Sequence, residues 1–261
     1  MTPLEAALEA ELGRFLLALC RISGLLMTSP LLVGGAPRTV RAGLAFLLAA
    51  VAHGAMPAPA VPGPSLGMVV AAVPGEVLLG AAMGFVVRLA VGVAEIMGGS
   101  VSPLIGFGMA QVFDPSQGGM DTVVTTLVRS LALWVALLLG LHQLVLGAVI
   151  ASFRVVPAGA VVSMGAAAPG LLEAASASLE TGARLSIPLV AVLFIVQIAL
   201  GFVTRAAPAM QIFSVGFAFT LVAGGVVLTL TIPDFTRELA LSLGDVGPRL
   251  ERLVVAAGGG T

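Results

Sequence analysis

Charged residues sit inside the apolar runs of this chain, and that placement limits its folding more than any motif does. Arg14 and Arg21 lie in the run from about Leu12 to Leu32. Glu76, Arg88 and Glu95 lie in the run Leu66–Met97, and Arg129 and His142 in the run Val123–Ile150. An ionised group at bilayer depth costs about 2.5–3.5 kcal/mol on insertion scales. Such groups need protein partners or water close by, which a lipid-exposed bundle does not supply. Only 10% of the residues are charged, against roughly 25% in a soluble domain, and the mean hydropathy is +1.13. The chain therefore belongs in a bilayer or inside a large assembly. One Trp and no Tyr leave it without the usual aromatic belt at the headgroup level. Burial against neighbouring subunits accounts for both the charges and the missing belt.

Further apolar stretches at Ala42–Met56, Leu185–Val203 and Ile212–Ile232 bring the total to about six. The expected fold is all-α: an integral membrane protein with about six long apolar helical segments, some of them broken. Ala42–Met56 is short for a span, since about 20 residues cross the hydrocarbon core. A proline-rich linker, Pro57–Pro64, follows it. Ala151–Arg184 is rich in small residues and predicts a surface helix at Leu171–Leu179. The opening is acidic (Glu5, Glu9, Glu11), unlike a secretory signal. Thr2-Pro3-Leu4-Glu5 reads as a capping box, so the chain is expected to start on a helix. Residues 1–261 are expected to form a single domain, with 233–261 as an amphipathic tail. In that tail Leu239, Leu243, Val246, Leu250 and Leu253 repeat at four-three spacing. The stripe suits either a membrane surface, a partner, or simple packing within the chain.

Glu76, Gly80, Gly84, Arg88 and Gly92 recur every four residues. The pair Gly80/Gly84 is a small-xxx-small match of the kind that lets helix backbones approach. Among 33 glycines such a match alone is weak. The two charges that bracket it favour tight helix packing, within the chain or between subunits.

The segment from Gly106 to Asp121 fits neither a span nor an ordinary surface loop. Gly106, Gly108, Gly118 and Gly119 and the turn Asp114-Pro115-Ser116 break a helix. Phe107, Met109, Val112 and Phe113 are too apolar to float in water. Irregular backbone beside spans survives only where protein buries it or where it lines a water-filled cavity. A glycine-hinged segment with bulky apolar side chains has the properties of a removable seal. Asp114-Pro115 either sets the turn at its base or caps a helix.

Other chemistry finds no support in the residues. A net charge of −1 leaves no nucleic-acid footprint. All 12 basic residues are Arg, so a Walker A lysine and a Schiff-base lysine are excluded. Cys20 is the only cysteine and suits a small core side chain. His53 and His142 lack carboxylates at ligand spacing, and a polar helix contact is the expected role of each. Gly106-Phe107-Gly108 imitates a dinucleotide loop, but Gln111 replaces the third glycine and no strand precedes it. Neither an enzyme nor a cofactor is expected.

The chain resembles the FliR family of flagellar export proteins and its injectisome counterparts, the SctT family. Arg21-Ile22-Ser23-Gly24 leads to Pro30, Pro37, Arg41 and Leu44, as in the family's opening run. Pro74-Gly75-Glu76 with Gly80 and Gly84, then Gly106–Ala110 with Asp114-Pro115, follow in order. Gly140-Leu141-His142, Ser152-Phe153 and Pro157 come next, then Arg205-Ala206-Ala207-Pro208 with Phe213, Gly216 and Phe217. The likeness covers nearly the whole length, although Ala209-Met210-Gln211 departs from a more polar stretch in many relatives.

The resemblance implies an export gate in the bacterial inner membrane, at the flagellar basal body. There the chain would join FliP-like and FliQ-like subunits, with an FlhB-like neighbour, as helical hairpins rather than a lipid-facing bundle. Unfolded flagellar proteins would pass through, and energy would come from elsewhere, so no nucleotide is bound. The family's central loop acts as a channel plug, which carries over onto about Pro103–Asp121. Gly106, Phe107, Gly108, Met109, Val112, Phe113, Asp114 and Pro115 are then the gate candidates. Glu76, Gly80, Gly84, Arg88, Arg205 and Pro208 are the candidates for helix packing and subunit contact. An equivalent subunit of a virulence injectisome is the near alternative. A small-solute transporter with Glu76, Arg88 and Glu95 as its substrate site is the distant one, and it calls for repeats that the sequence lacks. A passive membrane scaffold is a third.

Overall fold

The computed structural model describes residues 3–33, 35–56, 66–105, 123–206 and 212–259. Among them there are helices and turns and no strand. The helices are α1 (Pro3–Thr28), α2 (Pro30–Val33), α3 (Arg38–Ala55), α4 (Leu66–Val101), α5 (Val123–Leu138), α6 (Leu141–Val155), α7 (Met164–Ala206), α8 (Ile212–Gly244) and α9 (Val246–Ala257). The expected all-α class holds, and the apolar stretches marked in the sequence are largely helical, with breaks at Ser29 and at Leu139-Gly140. Gly67–Val101, Met164–Val203 and Ala218–Ala257 are long and apolar enough to cross a membrane, and α5 with α6 adds a fourth if they form one broken span.

Three boundaries differ from expectation. The run Val123–Ile150 is divided after Leu138, because Gly140 takes φ +71 and turns the chain out of α5 before α6 starts. The short surface helix expected at Leu171–Leu179 and the apolar stretch after it are one helix, α7, of 43 residues. Gly182, in its middle, is not a breaker: it gives room to Ile96, whose Cγ2 lies 2.8 Å from where a Cβ would stand. Finally, α8 runs through Pro233 and on to Gly244, so the tail has no boundary at that proline.

The chain divides into two compact units. The first holds Met1–Ala90, Gly140–Ala175 and Gly244–Thr261. In it α1 and α4 cross at near-backbone distance. A Cβ on Gly80 would overlap the carbonyl of Arg21, and one on Gly84 would meet Leu25 O and the Thr28 hydroxyl. Gly24 returns the favour, since its Cβ would strike Val77 O. Three glycines on two helices therefore interlock, and the Thr28 hydroxyl donates across the crossing to Ala81 O at 3.0 Å. On the other side of α1, Phe15 packs edge-on against Phe46 of α3, 5.3 Å between ring centres. His53 of α3 lies 3.1 Å from Glu11, which is the polar helix contact expected of it. Of the tail stripe, Val246, Leu250 and Leu253 are buried in this unit, and Leu239 and Leu243, which belong to the second, are buried too, so packing within the chain is the observed role of these residues. α9 ends with Ala257 O accepting the Ser163 N–H at 2.8 Å.

The second unit holds Val91–Leu139 and Ser176–Leu243. Glycines again set its closest approaches, with Gly98 of α4 against the backbone of Thr125 on α5. Arg129 of α5 lies 3.8 Å from Glu95 of α4. In an 18-residue apolar stretch of the α4 span 61% of residues are buried by the chain, against 17% in the corresponding stretches of Met164–Val203 and Ala218–Ala257. The long helices α7 and α8 thus leave most of their apolar surface for lipid or for other proteins.

Candidate functional site

Arg21 and Glu76 lie in the core of the first unit, both 0% exposed. The Arg21 Nε donates to Glu76 Oε2 at 2.6 Å. Its Nη1 donates to the Ser152 hydroxyl and its Nη2 to the Val156 carbonyl, each at 2.9 Å. The guanidinium carbon lies 4.0 Å from the centre of the Phe153 ring, a cation–π contact strengthened by the lack of water. Glu76 Oε1 accepts the backbone N–H of Gly159 at 2.9 Å. Both ends of the pair are thus engaged on every side, the condition under which a buried ion pair is tolerable at all.

The local sequence explains why the cluster forms. Ser152 and Phe153 lie in the last turn of α6, so one faces the guanidinium edge and the other its face. Just beyond, Ala160 N–H bonds back to Pro157 O at 3.0 Å and tightens the turn. Gly159 has φ +87, a conformation that glycine adopts freely and that here aims its N–H at the carboxylate. The residues that Arg21 bonds stand 55 to 135 positions away from it in sequence. The cluster therefore ties α1, α4, the end of α6 and the following turn into one register. It offers no open face to a ligand; its role is to hold helices.

The packing candidates fall in three groups. Glu76, Gly80 and Gly84 all face α1, at the ion pair and the glycine crossing. Arg88, on the same helix, is exposed. Arg205 is exposed in the last turn of α7, and Pro208 lies outside the described residues. The gate candidates Gly106, Phe107, Gly108, Met109, Val112, Phe113, Asp114 and Pro115 also lie outside them.

The chain leading into that central segment is described, and side chains of α7 and α8 hold its carbonyls. After α4 ends at Val101, the turn through Ile105 leaves carbonyls without helical partners. The Gln197 side chain of α7 donates to Leu104 O at 3.0 Å. The Thr220 hydroxyl of α8 donates to Ile105 O at 3.3 Å. Ile105 itself seats in a notch at Gly224, where an added Cβ would lie 2.7 Å from its Cγ1. Sequence reasoning singled out none of Gln197, Thr220 and Gly224. A signal existed for Gln197, a lone amide within the apolar run Leu185–Val203. Thr220 and Gly224 have no such mark, because threonine and glycine are common in membrane helices. Among the described residues no three His, Cys, Asp or Glu side chains gather as a metal site.

Comparison with known proteins places this geometry in context. The model of a family described as bacterial export proteins, family 1, matches residues 12–244. The flagellar biosynthetic protein FliR of Caulobacter vibrioides is 29% identical over 218 residues, covering 83% of this chain and 87% of its own. FliR of Escherichia coli is 28% identical over 216 residues, 82% of each chain. FliR of Bacillus subtilis is 28% identical over 229 residues, 82% of this chain and 84% of its own. The sequence pieces Arg21–Gly24, Pro74–Glu76, Ser152-Phe153 and Pro157 all lie within the matched region.

Proposed function

The chain belongs to the bacterial export proteins, family 1, and from that premise we propose that it is the FliR-like subunit of a flagellar type III export gate. In this reading it stands in the inner membrane at the flagellar basal body. With FliP-like and FliQ-like subunits, and an FlhB-like neighbour, it forms the channel through which unfolded flagellar proteins leave. The observation that carries the reading is the extent of the match to FliR relatives, more than four-fifths of the chain in each of three bacteria. The uncovered apolar faces of α7 and α8 support it, since an assembly or a bilayer has to take them up.

Within the gate, the central loop, about Pro103–Asp121, serves as the plug. Phe107, Met109, Val112 and Phe113 exclude water as hydrophobic constrictions do, and methionine conforms to an irregular hole. Gly106 and Gly108 let the segment move when substrate arrives. The turn at Leu104-Ile105, bonded to Gln197 and Thr220, supports that reading by anchoring the start of the loop.

A virulence injectisome would use the same mechanics; the flagellar reading is preferred because the matched relatives carry flagellar names. A transporter with Glu76 in its substrate site is disfavoured, because both oxygens of that carboxylate are already engaged and buried. The test is a clean deletion of the gene in its own bacterium, scored for flagellin in the medium and for swimming. Loss of both, restored by the wild-type gene, is expected. Normal flagellin export in the deletion strain would overturn the flagellar assignment.

A further inference from the structure

The most enclosed long helix of the chain has one open edge. From Ala71 to Arg88 of α4, Ala71, Pro74, Leu78, Phe85 and Arg88 are exposed, Ala72, Val73, Gly75, Val77 and Ala81 are half-buried, and Leu79, Met83, Val86 and Val87 are buried. The exposed positions are spaced three, four, seven and three, and the half-buried Ala81 divides the seven into three and four. That is the a/d seam of two helices packed side by side, narrower than a face turned to lipid. From Ala71 to Arg88 the seam runs about 26 Å, at about 1.5 Å per residue, close to the thickness of a hydrocarbon core. Its surface alternates small with large: Ala71 and Ala81 make holes, Leu78 (52% exposed) and Phe85 (38%) make knobs.

Arg88 closes the seam, and it differs from the other arginines inside the apolar runs. Arg21 meets Glu76, Arg129 meets Glu95 and Arg14 meets Glu11. Arg88 has no carboxylate within ion-pair distance among the described residues. A guanidinium is always charged, and on an apolar helix it has to be answered by an anion or by water.

We infer that this edge of α4 docks a single apolar helix from another membrane protein, and that the helix carries an Asp or Glu at the level of Arg88. The stripe is the width of one helix, so the occupant is a helix rather than a lipid layer. It is apolar except at Arg88, so the occupant is apolar except for one carboxylate. The carboxylate also sets register, because sliding the helices by one turn would strand two charges in an apolar seam. The inference rests on the proposed membrane assembly, and it adds which face binds, what kind of helix is bound and which residue sets the register.

The experiment uses the tagged full-length chain, expressed from its own locus in the source bacterium. Its amount in the membrane, the membrane proteins that co-purify with it, and flagellin export are measured for wild type, Arg88→Lys, Arg88→Leu, Arg88→Glu and Ala71→Trp. With chain levels equal to wild type, Arg88→Glu is expected to lower recovery of at least one partner by about tenfold or more. Arg88→Lys should retain most of it, and Ala71→Trp should lose it without touching the charge. Suppressors of Arg88→Glu should replace an Asp or Glu of another chain by Lys or Arg. Wild-type recovery of every partner with Arg88→Glu and Ala71→Trp would overturn the inference. So would suppressors confined to Asp114 or Asp121 of this chain, or a loss of bound anionic lipid with all protein partners retained. Flagellin export by the wild-type tagged chain reports separately on the proposed function, so the two can fail independently.

Discussion

At the scale of single residues, the Arg21–Glu76 pair concentrates the largest electrostatic commitment in the chain. Removing one partner leaves the other as an uncompensated buried charge, which typically costs about 3–5 kcal/mol. Glu76→Gln should therefore lower the thermal midpoint of the purified assembly sharply, or clear the chain from the membrane. Arg21→Met with Glu76→Leu should recover much of that loss, because an apolar pair of similar volume leaves no stranded charge. A double variant no better than Glu76→Gln alone would mean that the cluster does more than hold helices. Gly159 gives a milder test. A side chain at φ +87 costs about 1–2 kcal/mol in the left-handed region, so Gly159→Ala should destabilise by that order through the turn that donates to Glu76. The sequence made Arg21, Glu76, Ser152 and Phe153 visible as motif residues, yet nothing local could show that they meet. They are brought together by the packing of helices more than fifty positions apart, which periodicity along one helix does not encode. Arg129 shows the same limit: as a charge in an apolar run it suggested a partner in another subunit, and its partner is Glu95 of its own chain.

At the scale of elements, the four-residue stripe on α4 divides in a way that only the neighbouring helix explains. Gly80 and Gly84 lie against the backbone of α1, whereas nothing lies within 4 Å of a Cβ built on Gly92. Overpacking a tight contact typically costs about 1–3 kcal/mol. Gly80→Ala should cost at least that, since the obstacle is main chain, and Gly92→Ala should be neutral or gain about 0.5–1 kcal/mol in helix preference. Comparable losses at both positions, measured as thermal midpoints of the assembly, would contradict the crossing described. The turn at Leu104-Ile105 makes a second prediction. Replacing Gln197 by Leu together with Thr220 by Val removes an exposed bond to Leu104 O and leaves the Ile105 carbonyl without its buried donor, the latter at about 1–3 kcal/mol. If this turn is the fixed foot of the plug, the double variant should leak small ions at rest while the chain is still present in the membrane. Helix positions were legible from apolar runs, but helix ends less so. Gly140 and Gly182 look alike in sequence, yet one leaves α5 with φ +71 and the other gives room to Ile96 inside α7.

At the scale of the whole molecule, composition announced a membrane-embedded chain, and the structure supplies helices long and apolar enough to cross a membrane. Arg21 and Arg129 are paired with carboxylates of the same chain, Gly24, Gly80 and Gly84 sit where α1 and α4 cross, and the leucines of the tail stripe are buried rather than left for a membrane surface. What remains uncovered is apolar and extensive on α7 and α8, and narrow and marked by one arginine on α4. The distinction between covered and uncovered faces was not legible beforehand, because a small-residue helix reads the same whether its neighbour is its own chain or another. The central claim is that this chain seals an export gate, and the most direct measurement is ion leak across the membrane of resting cells. Cells carrying a version shortened between Gly106 and Gly119 should leak small ions well above wild type, with the chain present at normal levels and its partners still bound. Membranes as tight as wild type, with that shortened chain assembled, would contradict the seal and leave the molecule a scaffold.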